Sequence, residues 1–148
     1  MDISHIVVGT DFSDPSERAV QAAAEWAKRF GARVTLAHAL ALPELDDDEL
    51  EQPIPEHREL EAAVHDHLDR VLERLLGGVE SKAVMIRARS ASHALSELAD
   101  REGADLLIVA THGRTGFTRV FLGSVAEQVI RLAHCPVMTV RTGGEETF

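Results

Sequence analysis

Short apolar runs alternate with segments of helical period along this chain, and that alternation limits its fold more than any other feature. Ile3 to Gly9 is short and β-branched, and reads as a buried strand; Arg33 to Ala39, Lys82 to Ala88, Asp105 to Ala110 and Pro136 to Arg141 read as four more. Asp14-Pro15-Ser16-Glu17 supplies an N-cap, a proline at the first helical position and a glutamate at N3. The helix it opens runs through Ala19, Ala22, Ala23, Trp26 and Ala27 to about Phe30, with Gly31 as C′. From Glu56 to Leu76, the residues Leu60, Val64, Leu68, Val71, Leu72 and Leu75 share one helix face, and Gly77-Gly78 stops that helix. Ser92 to Glu102, closed by Gly103, and Ser124 to Ala133 complete the helices.

Alternation of this kind predicts a parallel sheet with helices on both faces. Right-handed crossovers leave few topologies. The expected fold is a single α/β domain over residues 1–142, an open twisted sheet of five parallel strands in the order 3-2-1-4-5, Rossmann-like or flavodoxin-like. Residues 143–148 read as a disordered tail. Residues 42–56 break the pattern with Pro43, Asp46-Asp47-Asp48, Pro53 and Pro55, and read as a flexible acidic connector. The triplet lacks the ligand spacing and glycine turn of a calcium loop.

In such a sheet, ligands gather at the carboxyl ends of the strands where the winding reverses. Here those ends are Gly9-Thr10-Asp11 after the first strand and Val109-Ala110-Thr111-His112-Gly113 after the fourth. The second continues as Arg114-Thr115-Gly116 and returns at Leu122-Gly123-Ser124, where a helix begins. Strand, glycine-bearing loop and helix start together make a seat for phosphate, because the first helical amides are unpaired and the dipole adds positive potential.

Several of these residues admit two readings. Ser124-Val125-Ala126-Glu127 is also spaced as a capping box, and Asp11 can cap the turn before Asp14. Arg114 and Arg119 can meet phosphate or stay solvated. His112 has no nucleophile or carboxylate partner identifiable by spacing, which favours turn packing over catalysis. His57, His65 and His67 are not spaced to share a metal, and no other protein metal site is expected. A glycine-lysine-serine/threonine phosphate loop is absent, as is a glycine fingerprint after the first strand.

Charge narrows the partners. A net charge of −10, with Lys28 and Lys82 the only lysines, argues against a nucleic-acid surface. The single cysteine, Cys135, leaves no intramolecular disulfide. Neither a basic, apolar leader nor a run of membrane-spanning length is visible, so the expected location is the cytoplasm.

The chain resembles the universal stress protein family from end to end. The resemblance rests on Val7-Val8-Gly9-Thr10-Asp11-Phe12-Ser13, Leu36-Ala37-His38-Ala39, Gly103-Ala104-Asp105-Leu106-Leu107-Ile108 and Cys135-Pro136-Val137-Met138-Thr139-Val140. Nucleotide-binding members carry glycine, two residues, glycine, nine residues, then glycine with serine or threonine. On this chain the last three motif positions fall on Gly113, Gly123 and Ser124, while the first is Ala110, whose methyl is a small intrusion. The resemblance implies that Asp11 meets ribose, that main chain near Ala39 borders adenine, and that Gly113, Gly123, Ser124 and Val125 surround phosphates. Gly9, Thr10, Val109, Ala110 and Ala126 complete the nucleotide-binding set expected here.

It also implies a homodimer closed by the last strand, which would otherwise be an exposed sheet edge. The implied ligand is ATP, or ADP or AMP, with Mg²⁺ as a companion ion, and the implied role is regulation of a stress response through the loop over residues 111–122. Two alternatives stand beside it: an interaction protein without nucleotide, or a slow ATP hydrolase.

Overall fold

A computed structural model describes residues 1–112 and 122–141. Its strands are β1 (His5–Gly9), β2 (Arg33–Ala41), β3 (Ser81–Ala88), β4 (Leu106–Ala110) and β5 (Val137–Val140). Its helices are α1 (Asp14–Phe30), α2 (Asp47–Glu51), α3 (Arg58–Leu76), α4 (Ala91–Arg101) and α5 (Ser124–Leu132), with a 3-10 turn at Pro55–His57. The strands form one sheet in the order β3-β2-β1-β4-β5, and every pairing is parallel. This is the order the sequence predicts. Among the described residues no helix is long and apolar enough to cross a membrane.

Side chains alternate across the sheet because the strand period is two. Ile6 and Val8 of β1, Val34 and Leu36 of β2 and Ile108 of β4 pack with α1 and α3, against Val20, Leu68 and Val71. Val7, Ala37, Leu107 and Val109 face the other way, toward Leu95, Leu98 and Val129 of α4 and α5. β1, covered on both faces and paired on both edges, is buried over its whole length. Chain order is reversed at this strand: β2 lies on one side of it and β4 on the other. The C-terminal ends of β1 and β4 therefore flank the switch point.

The helix termini explain where the sequence reading needs correction. Asp14 is not the N-cap of α1: Ser13 is, in extended conformation, with its side chain accepting from the amide of Ser16. Asp11 accepts from the amide and hydroxyl of Ser13 and turns the chain so that Ser13 rather than Asp14 takes that place. Gly31 closes α1 in the left-handed conformation, φ 68°, which glycine adopts without steric cost. β2 continues two residues past Ala39, because Leu40 and Ala41 still pair with Arg87 and Ala88. Within residues 42–56, Asp46 caps the short α2 by accepting from the Glu49 amide at 2.8 Å. Arg87 holds this segment: its guanidinium donates to both carboxylate oxygens of Glu61, at 2.7 and 2.9 Å, and to the carbonyls of Leu50 and Gln52.

A second polar cluster ties the amino ends of the strands together, at the opposite end of the strands from the switch point. The Thr35 hydroxyl donates to Glu102 Oε1 at 2.9 Å, so the buried His5 donates from Nε2 to Thr35 Oγ1 at 2.8 Å. Lys82 donates to Glu102 Oε2 at 2.8 Å. Burial pushes the Glu102 carboxyl up, but the bonds from Lys82 and Thr35 and the nearby charges outweigh it and hold it below its ordinary value of 4.5. Asp105, accepting from the amide and hydroxyl of Ser4 and the amide of His5, is likewise held below 3.8.

Both groups are depressed in the folded chain, so their stabilisation is complete above the unfolded values of 4.5 and 3.8 and is lost as pH falls through the folded ones. Acid melting curves are expected to drop steeply below a pH of about 4.5. Glu102→Gln should flatten that drop while lowering the Tm at neutral pH, and an unchanged acid limb would contradict the assignment.

Candidate functional site

A cavity of about 270 Å³ opens at the switch point. It is built from the carboxyl ends of the central strands and from the starts of three helices. Gly9, Thr10 and Asp11 come from β1 and the turn after it, and Ala39 from β2; Val109, Ala110, Thr111 and His112 come from β4 and its continuation. Ser16 of α1, Ala91 and Leu95 of α4, and Gly123, Ser124, Val125 and Ala126 at the start of α5 complete the wall. Ten of the residues expected from sequence thus line one cavity: Gly9, Thr10, Asp11, Ala39, Val109, Ala110, Gly123, Ser124, Val125 and Ala126. Gly113, Arg114 and Arg119 lie outside the described residues, as does most of the loop over residues 111–122.

Tight packing explains two glycines. A Cβ on Gly9 would stand 2.8 Å from Leu95 Cδ1, so a side chain there would displace the tip of Leu95. At Gly123, a Cβ would stand 2.7 Å from the Thr111 carbonyl oxygen, the same oxygen to which the Gly123 amide donates at 2.6 Å. That bond closes the base of the loop and docks α5 onto the end of β4.

The first turn after β1 is a hydroxyl network. The Thr10 amide donates to the Ala37 carbonyl at 2.8 Å, its hydroxyl pairs with Ser16 Oγ at 3.0 Å, and the Phe12 amide donates to Thr10 Oγ1 at 3.0 Å. Asp11 Oδ1 accepts from the Ser13 amide at 3.0 Å and from the Ser13 hydroxyl. This is the turn-capping role that the sequence leaves open for Asp11, and it coexists with a place on the cavity wall.

Phe12 takes φ 67°, a strained value for a side chain of its size. Its ring is stacked between His38, centroids 4.5 Å apart, and His67 of α3, 3.9 Å apart. His38 in turn donates from Nδ1 to the Thr10 carbonyl at 2.8 Å. Two ring contacts and the hydrogen bonds made by Thr10, Asp11 and His38 hold the turn in a conformation that phenylalanine alone would leave.

The three helix starts differ in one respect that bears on chemistry. Ser13 caps α1 and Ser90 caps α4, each accepting an amide of the first turn. α5 has no side-chain cap: its N-cap is Gly123, and Ser124 is already the first helical residue. The capping box allowed by Ser124 and Glu127 is therefore not formed, because Ser124 sits one position too late to accept from its own first turn. The first backbone bond of the helix is Glu127 N–H to Gly123 O at 2.9 Å. The amides of Ser124, Val125 and Ala126 precede it and face the cavity end of the helix without a partner among the described residues.

No lysine or arginine stands among the described lining residues; the ionisable side chains there are Asp11 and His112. Leu95, Val109 and Ala126 form an apolar wall continuous with the α4/α5-side core. Ala110, where the resemblance expects glycine, packs with the core on the α1 side. Its methyl therefore stands away from that apolar wall. Ser16, Ala91 and Leu95 are lining residues that sequence reasoning does not reach. Leu95 has a faint signal in the close approach that Gly9 permits; the other two follow only from where the helices dock.

The chain matches the model of the universal stress protein family over residues 3–141. It is 34% identical over 147 residues to a universal stress protein of Methanocaldococcus jannaschii, covering 95% of this chain and 84% of that protein. A crystal structure of a universal stress protein in complex with cAMP superposes with a TM-score of 0.72 at 29% identity, over 97% of this chain and all of that one, 100%. The universal stress protein of Archaeoglobus fulgidus in complex with dAMP has the same fold, with a TM-score of 0.65 at 24% identity over 94% of this chain and 98% of that one. Architecture, sheet order and sequence agree: the chain belongs to the universal stress protein family.

Proposed function

We propose that this chain is a stress-response regulatory protein that binds an adenine nucleotide, ATP or its relatives ADP and AMP, in the cavity between the β1 and β4 ends. The observation that supports this most is the uncapped start of α5. Among the three helix N-termini at the cavity, it alone has no side-chain cap, and it stands beside an apolar wall of the kind a purine ring requires. The similar proteins solved with cAMP and dAMP add support from adenine ligands.

In this reading Asp11 accepts from the ribose hydroxyls, since a carboxylate can take both, and Ala39 lies along the base. Gly123, Ser124, Val125 and Ala126 surround the phosphates, with Gly113, Arg114 and Arg119 as further contacts from outside the described residues. A triphosphate would bring Mg²⁺, whose oxygen preference suits phosphates better than this wall. The site is read as one for binding rather than hydrolysis, because the Asp11 carboxylate is tied into the turn and supplies no poised base. Signalling would follow from unequal affinity for two states of the segment 111–122.

We further propose a cytoplasmic homodimer paired through β5. That strand bonds to β4 on one side and forms an edge of the described sheet, with its residues half-buried. Sedimentation should read twice the mass of the chain at micromolar concentration, and a monomer would overturn the pairing.

Calorimetric titration with AMP, ADP and ATP, with and without Mg²⁺, tests the nucleotide reading. Saturable binding of at least one of them at a Kd of about 100 μM or tighter is expected, near −5.5 kcal/mol. Absence of binding at millimolar concentration for all three would favour the interaction-protein alternative.

A further inference from the structure

His67 belongs neither to the cavity wall nor to the buried core, yet its ring lies flat against Phe12, 3.9 Å between centroids and 7° between planes. On the other face of Phe12 stands His38, at 4.5 Å and 23°. Phe12 is the only described residue other than glycine with a positive φ, 67°. Phenylalanine pays a steric cost in that region, so contacts from outside the turn must hold it there. Two stacked rings supply contact of that kind.

The conformation of Phe12 bears on the residue before it. Asp11 Oδ1 accepts from the Ser13 amide at 3.0 Å, a bond that spans Phe12 and so depends on the angles Phe12 adopts. Both histidines stand on supports that the core fixes. His67 lies on α3 between the buried Val64 and Leu68. His38 follows the buried Ala37 on β2, and its Nδ1 donates to the Thr10 carbonyl at 2.8 Å. A chain of contacts thus runs from α3 through Phe12 to Asp11, which lines the cavity.

We infer that His67 is a positioning residue for sugar recognition: stacked on Phe12, it holds the Asp11 carboxylate where it accepts from the ribose hydroxyls. This inference rests on the nucleotide reading above, in which Asp11 meets ribose. The ligand class it favours is a nucleotide with both ribose hydroxyls, over one that lacks them. His67 itself touches no ligand. Its contribution is the flat face of its ring, so another aromatic ring should serve in its place.

Paired calorimetric titrations with AMP and dideoxy-AMP, which lacks both ribose hydroxyls, test it on the unmodified chain, His67→Ala and His67→Phe. Hydrogen bonds to a carboxylate contribute enough that the unmodified chain should prefer AMP about tenfold. In His67→Ala, AMP should weaken about fivefold or more while dideoxy-AMP stays within about twofold, so the preference collapses. That second affinity also shows that the pocket is intact. His67→Phe, which keeps a stacking ring without the imidazole nitrogens, should restore the preference. Asp11→Ala should abolish it too, and adding His67→Ala to that variant should change nothing more.

Equal losses for both ligands in His67→Ala would make His67 a structural residue and overturn the inference, as would an unchanged preference. A further loss in the double variant, or no recovery in His67→Phe, would show that His67 does not act by stacking through Asp11, and would overturn it as well. If the unmodified chain binds AMP without preferring it, this inference falls while nucleotide binding stands. If it binds neither compound, the nucleotide reading itself falls, and this inference with it.

Discussion

Gly123→Val should abolish most ligand affinity while leaving the sheet folded. Gly123 has an ordinary φ of −63°, so backbone strain is not the reason. The reason is contact: the new Cβ would lie 2.7 Å from the Thr111 oxygen and 3.5 Å from the His112 Cα, both main-chain atoms that cannot swing aside. Relief requires α5 to move off the end of β4, which breaks the 2.6 Å bond between the Gly123 amide and Thr111. The amides of Ser124, Val125 and Ala126 then no longer converge on the cavity. Shifts of about 1 Å in such preorganised donors cost on the order of 100-fold, and a loss of that size in AMP affinity is expected. Overpacking of this kind costs roughly 1–3 kcal/mol, so the variant should still fold, with a lowered Tm. Affinity within a factor of about two of the parent would show that α5 does not hold the anion.

Ile108→Ala should have the largest effect on stability. Ile108 is fully buried in β4, aligned with Val8 of β1 and Met138 of β5, and packs in the core beneath α1. Parallel strands on both sides fix the backbone, so the void left by the lost methylenes cannot close. Isoleucine-to-alanine changes at such sites cost about 2–5 kcal/mol, and a value in the upper half is expected from chemical denaturation. A loss below about 1 kcal/mol would mean that the sheet relaxes around the site and that this core is less tightly packed than described.

The sheet order was legible because patterns of different scale agree. Continuous apolar runs mark strands buried on both faces, and helices between them force parallel pairing. Boundaries were less so. Ala39 reads as the end of its strand, yet pairing with β3 carries β2 to Ala41, a tertiary effect that no local propensity encodes. Asp14 reads as a cap, yet the Asp11–Ser13 bonds give that role to Ser13.

At the site, glycines and strand ends were readable from spacing. What each glycine does was not. Gly123 reads as one of the residues that surround the phosphates; in the structure its close neighbour is the Thr111 carbonyl. Ala110 reads as a flaw in a motif, and its methyl turns out to pack in the α1-side core. Leu95 and Ala91 reach the cavity only through the docking of α4 onto the β1 end, and Phe12 owes its strained conformation to histidines 26 and 55 residues further along the chain.

The central claim is that the open amides at the start of α5 receive the phosphate of an adenine nucleotide bound between the ends of β1 and β4. Backbone amide NMR during a titration with AMP tests it residue by residue. The account predicts saturable shifts largest at Ser124, Val125 and Ala126, accompanied by Asp11 and His112, with the β3 edge and α3 unmoved. Saturable shifts confined to another face of the molecule, or none at millimolar AMP, would contradict it.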